Sequence, residues 1–97
     1  MMELDVVIRD QPIASASHSG HTRRMLVIDL FQDGHPLHPR MKDGSCWIVS
    51  RIVKSDKDKV EAIRDVYRLV ELYSQQRDEP FELSEEAKEE LIRVLKG

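Results

Sequence analysis

Two stretches of this chain are apolar at both odd and even positions, and that restricts the folds open to it more than any other feature. Residues 24–32 carry Leu26, Ile28 and Leu30 at one parity and Met25, Val27 and Phe31 at the other, with Asp29 the exception. Residues 45–53 repeat the pattern, with Cys46, Ile48 and Ile52 against Trp47, Val49 and Val53. Successive side chains of a strand point to opposite faces, so a strand that is apolar at both parities needs cover on both sides. Residues 4–9 instead set Leu4, Val6 and Ile8 against Asp5, Val7 and Arg9, the alternation of a half-buried strand. Asp10-Gln11-Pro12 is expected to break that strand, with residues 13–17 returning weakly, because proline is tolerated only at a strand start or edge. Residues 17–21 read as a turn. Residues 33–44 enclose two prolines between two Asp-Gly pairs and read as a long, semi-rigid connection.

The period changes after residue 54. Ser55 or Asp56 can cap a helix running to about Gln76, on which Val60, Ala62, Ile63, Val66, Tyr67, Leu69, Val70 and Tyr73 occupy about half the circumference. An arc that wide predicts two neighbours. Arg77-Asp78-Glu79-Pro80 ends the helix, and Ser84 opens a last one to about Lys96, with Ala87, Leu91, Ile92, Val94 and Leu95 on one side. Strands within 1–54 and helices within 55–97 predict an α+β fold: a mostly antiparallel sheet of three or four strands followed by two C-terminal helices. At 97 residues it is expected to be a single domain, 1–97.

Apolar runs of at most four residues fall far short of the ~20 needed to cross a bilayer, and the N-terminus lacks a basic-then-apolar signal pattern. The lone Cys46 cannot form an intramolecular disulfide. A cytoplasmic protein stabilised by packing is the expectation. The net charge of -3 divides unevenly: residues 1–55 hold seven Lys/Arg against six Asp/Glu, and residues 56–97 hold eight against twelve. The acids between Asp78 and Leu91 fit a solvated helix N-terminus, where they interact favourably with the helix dipole. The basic side chains and all four histidines of the first part mark His18, His21, Arg23, Arg24, Arg40 and Lys42 as candidate contacts for an anion or a partner. A nucleic-acid or phosphate-binding protein using these turns is one alternative function. The sequence pI of about 5.8 and the absence of a basic stripe interleaved with aromatics weigh against it.

His18-x-x-His21 and His35-x-x-His38 have the paired spacing of metal ligands. If residues 24–32 form one strand at ~3.3 Å per residue, however, the pairs lie too far apart to share an ion. Neither a metal nor a cofactor is expected. Cys46 lies beside Trp47 and Ile48 rather than a base, and Ser17 and Ser19 have no identifiable orienting group, so no catalytic residue is assigned. No phosphate-loop, dinucleotide, zinc-protease or nucleophile-elbow motif is present, which leaves a small enzyme with an unrecognised site as the second alternative.

If both helices pack on the face bearing Leu4, Val6, Ile8, Leu26, Ile28, Leu30, Ile48 and Ile52, then Met25, Val27, Phe31, Trp47, Val49 and Val53 are left over. Such a set has the composition of an interface core, whereas helices straddling the sheet would bury both sets. The favoured expectation is a non-enzymatic protein-binding module, acting as a homodimer, a regulatory subunit or a small inhibitor of another protein. That sheet face would be its partner-binding surface.

Overall fold

A computed structural model describes residues 2–13, 23–37 and 47–96. In chain order these form β1 (Met2–Ile13), β2 (Arg23–Gln32), β3 (His35–Pro36), β4 (Ile48–Val53), α1 (Asp56–Arg77), β5 (Phe81–Leu83) and α2 (Glu85–Lys96). The sheet is mixed and mostly antiparallel. β2 pairs with β1 along one side, while β3 and β4 follow one another along its other side. β5 adds to the start of β1 in parallel, from Met2 opposite Phe81 to Leu4 opposite Leu83. The α+β class and the helical C-terminal half agree with the sequence reading, except that β5 stands between the helices. Three residues are too few to show a period.

Backbone phase explains where the sequence reading of β1 fails. The Leu30 N–H donates to the Trp47 carbonyl and the Leu30 carbonyl accepts from Leu37, so even positions of β2 bond toward β3 and β4 and odd positions toward β1. By register, the even positions of β1 direct their backbone outward. Pro12 is one of them. It therefore lacks only an outward-facing N–H, and β1 runs straight through Asp10-Gln11-Pro12 to Ile13 instead of breaking. At the other end of β2, Asp33 and Gly34 both have positive φ, 53° and 79°, as a two-residue type I′ turn requires. The expected long connection thus begins with a tight hairpin into β3.

Both helices cover one face of the sheet. Leu4, Leu26, Ile28, Leu30, Trp47 and Val49 form one buried cluster with Ala62, Val66, Val70 and Tyr73 of α1 and with Ala87 and Leu91 of α2. α1 is anchored at its start by Asp58, whose carboxylate accepts from the backbone N–H groups of Lys54 (2.7 Å) and Ser55 (3.2 Å). These bonds hold the Asp58 carboxyl below its usual range, led by the one from Lys54. At the far end Asp78 adopts a left-handed cap, and Ser74 Oγ accepts from the Phe81 N–H at 3.0 Å, drawing the chain back into β5. Ser84 then starts α2, accepting from the Ala87 N–H at 3.1 Å while its hydroxyl donates to Asp5 at 2.6 Å. Trp47, Tyr73 and Phe81 stack edge-on with centroids 4.9 and 4.8 Å apart, tying β4, α1 and β5 together. The buried stripe of α1 is narrower than expected, since Val60 and Tyr67 are exposed. No helix among the described residues is long and apolar enough to cross a membrane.

Candidate functional site

Among the described residues one face of the sheet is left uncovered, and it is assembled from three strands by two registers. Ile28 stands opposite both Ile8 and Val49, so even residues of β1 and β2 share the helix face with odd residues of β4. The opposite face carries Asp5, Val7, Arg9 and Gln11 of β1, Met25, Val27, Asp29 and Phe31 of β2, and Ile48, Ser50 and Ile52 of β4. Met25, Val27 and Phe31 therefore lie on the uncovered face as expected. Trp47, Val49 and Val53 do not: the odd-to-even match between β4 and β2 turns them toward the helices. Trp47 and Val49 are buried in the core, and Val53 is packed against it. Their places outside are taken by Ile48 and Ile52. The alternation inside each strand was readable, but the offset between strands is set by residues 33–47, whose length conceals it.

The result is a mixed surface on which six apolar residues alternate with five polar ones. Val7, Ile48 and Ile52 are each 41% exposed and stand diagonal to Val27, whose direct cross-strand neighbours are Arg9 and Ser50; Val27 is only 7% exposed although it belongs to no part of the helix-side cluster. Met25 and Phe31 are half-buried. Arg9 pairs with Asp29 at 3.2 Å, and the hydroxyl of Ser50 points to the Met25 sulfur at 3.2 Å. Asp29 Oδ1 is buried without a hydrogen-bond partner. The sequence signal that escaped notice is Val7, an apolar residue at an otherwise polar parity of β1.

The basic residues expected to meet an anion are only partly placed. His18, His21, Arg40 and Lys42 lie outside the described residues, as does Cys46, and for Arg23 only the backbone is described, paired with Ile13. Arg24 is exposed and donates to Asp10 at 3.0 Å, so an acid already balances it. It borders a cleft of about 410 Å³ over Ile8, Leu26, Val53 and Val94, whose rim also holds Lys59, Glu90 and Arg93. Arg93 is in turn paired with Glu90. This rim is of mixed sign, unlike the one-sign surface that phosphate backbones select. Among the described residues no three His, Cys, Asp or Glu side chains converge as metal ligands would.

The chain matches no protein-family model, and neither curated proteins nor solved structures yield a significant match to it.

Proposed function

We propose that this chain is a non-enzymatic protein-binding module whose contact surface is the uncovered face of its sheet. One observation carries this reading: Val7, Ile48 and Ile52 stand 41% exposed diagonal to Val27 on a face that neither helix covers. Leaving a large aliphatic side chain in water forgoes up to about 1.5–3 kcal/mol, so three partly exposed ones on one face favour association. Contiguous exposed apolar surface on a small protein marks an interaction site more often than chance. Arg9 and Asp29 at its centre would give such a contact orientation.

A photo-crosslinking residue placed at Val7, with a control at the exposed Gln76 on α1, tests this. Adducts identified by mass spectrometry should form with protein from position 7 and not from position 76. Equal labelling from both positions, or crosslinks to nucleic acid in place of protein, would overturn the reading.

A further inference from the structure

The two outer edges of the sheet are built differently. The outward backbone positions of β1 include Asp10 and Pro12, with Arg9 between Ile8 and Asp10, and charge and proline are what discourage an edge from pairing. β4 has no such protection. Ile48-Val49-Ser50-Arg51-Ile52-Val53 contains no proline and one charge. That charge, Arg51, is turned to the helix side, where it donates to Glu61 at 2.9 Å and Asp65 at 2.7 Å. Among the described residues no strand pairs with the outer side of β4.

We infer that a second copy of the chain joins this one edge to edge through antiparallel β4 strands, with Ser50 on the two-fold axis. This goes beyond the reading of the uncovered face: edge pairing extends the sheet, joins the uncovered faces of the two copies into one wider surface and leaves Val7 open to a partner. The backbone phase supports it first. Because the Leu30 N–H donates to the Trp47 carbonyl and Ile28 stands opposite Val49, the odd residues of β4 bond inward to β2, and Ile48, Ser50 and Ile52 present their N–H and C=O groups outward. An axis perpendicular to the sheet keeps both pairs of helices on one side, so opposing residues must have the same parity. Centred on Ser50, all three outward residues find hydrogen-bonding partners at once: Ser50 opposite its own copy, and Ile48 opposite the Ile52 of the second copy. A shift of two residues in either direction leaves one of them unpaired. The same register sets the exposed isoleucines side by side on the uncovered face, as a cross-strand apolar pair.

Charge gives the second support. Beside β4, α1 presents Glu61, Arg64, Asp65 and Arg68 around Arg51. The two-fold that reverses β4 also reverses α1, and this series read backwards sets Arg68 against Glu61 and Asp65 against Arg64. In that reversed order acid is set toward base, beside the pairs Glu61 and Asp65 make with Arg51 and Asp65 makes with Arg68 inside one chain. An isologous contact requires this kind of self-complementarity.

The full chain should sediment as a dimer, with the amides of Ile48, Ser50 and Ile52 exchanging with solvent as slowly as those of Val49 and Arg51. Ser50→Pro removes an outward N–H without touching the β4–β2 bonds. It should raise the dissociation constant by up to about a hundredfold, since symmetry doubles the loss and each lost bond is worth up to about a factor of ten. Circular dichroism shows whether that variant folds, and Ile52→Lys, which sets a charge on the edge, should give the same loss if it does not. A monomer at millimolar concentration overturns the edge pairing while leaving the crosslinking result at Val7 intact. A dimer that survives both variants but is lost in Val7→Lys is joined face to face and overturns the edge register. Fast exchange at Ile48, Ser50 and Ile52 within a dimer overturns it as well.

Discussion

The two faces of β2 carry nearly equal numbers of apolar side chains and have opposite fates. Leu26, Ile28 and Leu30 are sealed under both helices, with Ile28 at 0% exposure, whereas Met25 and Phe31 are half-buried on a side that neither α1 nor α2 covers. One strand thus samples a finished core and an unfinished one. The difference lies in supply rather than in the strand: α1 and α2 both leave the sheet at one face, because β5 pairs beside β1 and starts α2 on the side where α1 already lies. Apolar residues on the first face contribute to folding, and in the proposed function the exposed ones on the second would meet a partner.

Trp47→Ala offers the largest break in this comparison. Trp47 is 4% exposed and stacks on Tyr73 on the helix side, so its truncation should cost about 3–5 kcal/mol of folding stability. Chemical denaturation measures it. A loss below about 1 kcal/mol together with impaired assembly would return Trp47 to the uncovered face. Ile28→Ala should follow, at about 2–5 kcal/mol, well above Met25→Ala on the adjacent position of the same strand. Equal losses at the two sites would erase the distinction between the faces.

How much of this was visible in the sequence depends on the range of the interaction. Helix boundaries and strand interiors follow from neighbours within a few residues, and both helices and the central strands were legible for that reason. The expectation of an uncovered sheet face was legible too, by counting apolar parities against the helices available to cover them. Which β4 residues lie on that face was not. It depends on pairing Ile28 with Val49 across a connection, and a slip of one residue exchanges Trp47, Val49 and Val53 for Ile48, Ser50 and Ile52. Pro12 misled for a related reason: whether a proline breaks a strand depends on which neighbour its missing N–H would have faced.

Holding both helices to one face relies on small polar devices as well as on the core. Ser84→Ala removes the cap of α2 and its hydrogen bond to Asp5, and should cost about 1 kcal/mol by thermal or chemical unfolding. An unchanged midpoint would mean that α2 is held by Ala87 and Leu91 alone. At the start of α1, Asp58 has a folded pKa below its unfolded one. Its contribution is therefore complete above the unfolded value and is lost as pH falls through the lowered folded value. Asp58→Asn should flatten that part of the acid limb of a stability–pH profile, below about pH 4, and leave neutral pH less affected by acidification. An acid limb identical to that of the parent would show that the bonds to Lys54 and Ser55 do not persist in solution.

The smallest effect on folding is the most informative about the faces. Val7→Thr and Val49→Thr make the same chemical change, a methyl for a hydroxyl of nearly equal size with β-branching retained, at two strands of one sheet. Val49 is buried between β2 and the helices, where a new hydroxyl must find a hydrogen-bond partner or remain unsatisfied. Its replacement should cost about 1–3 kcal/mol. Val7 is on the uncovered face and water reaches it, so its hydroxyl is solvated in the monomer and folding stability should move by no more than about 0.5 kcal/mol. The same hydroxyl at position 7 would be desolvated when a partner covers that face. Val7→Thr should therefore weaken crosslinking from a probe at Gln11 on the same face while leaving the unfolding midpoint of the dilute chain in place and pairing through β4 unchanged. Substantial destabilisation of the dilute monomer by Val7→Thr would mean that this face is already closed within one chain, and the contrast between the two sides of β2 would be lost.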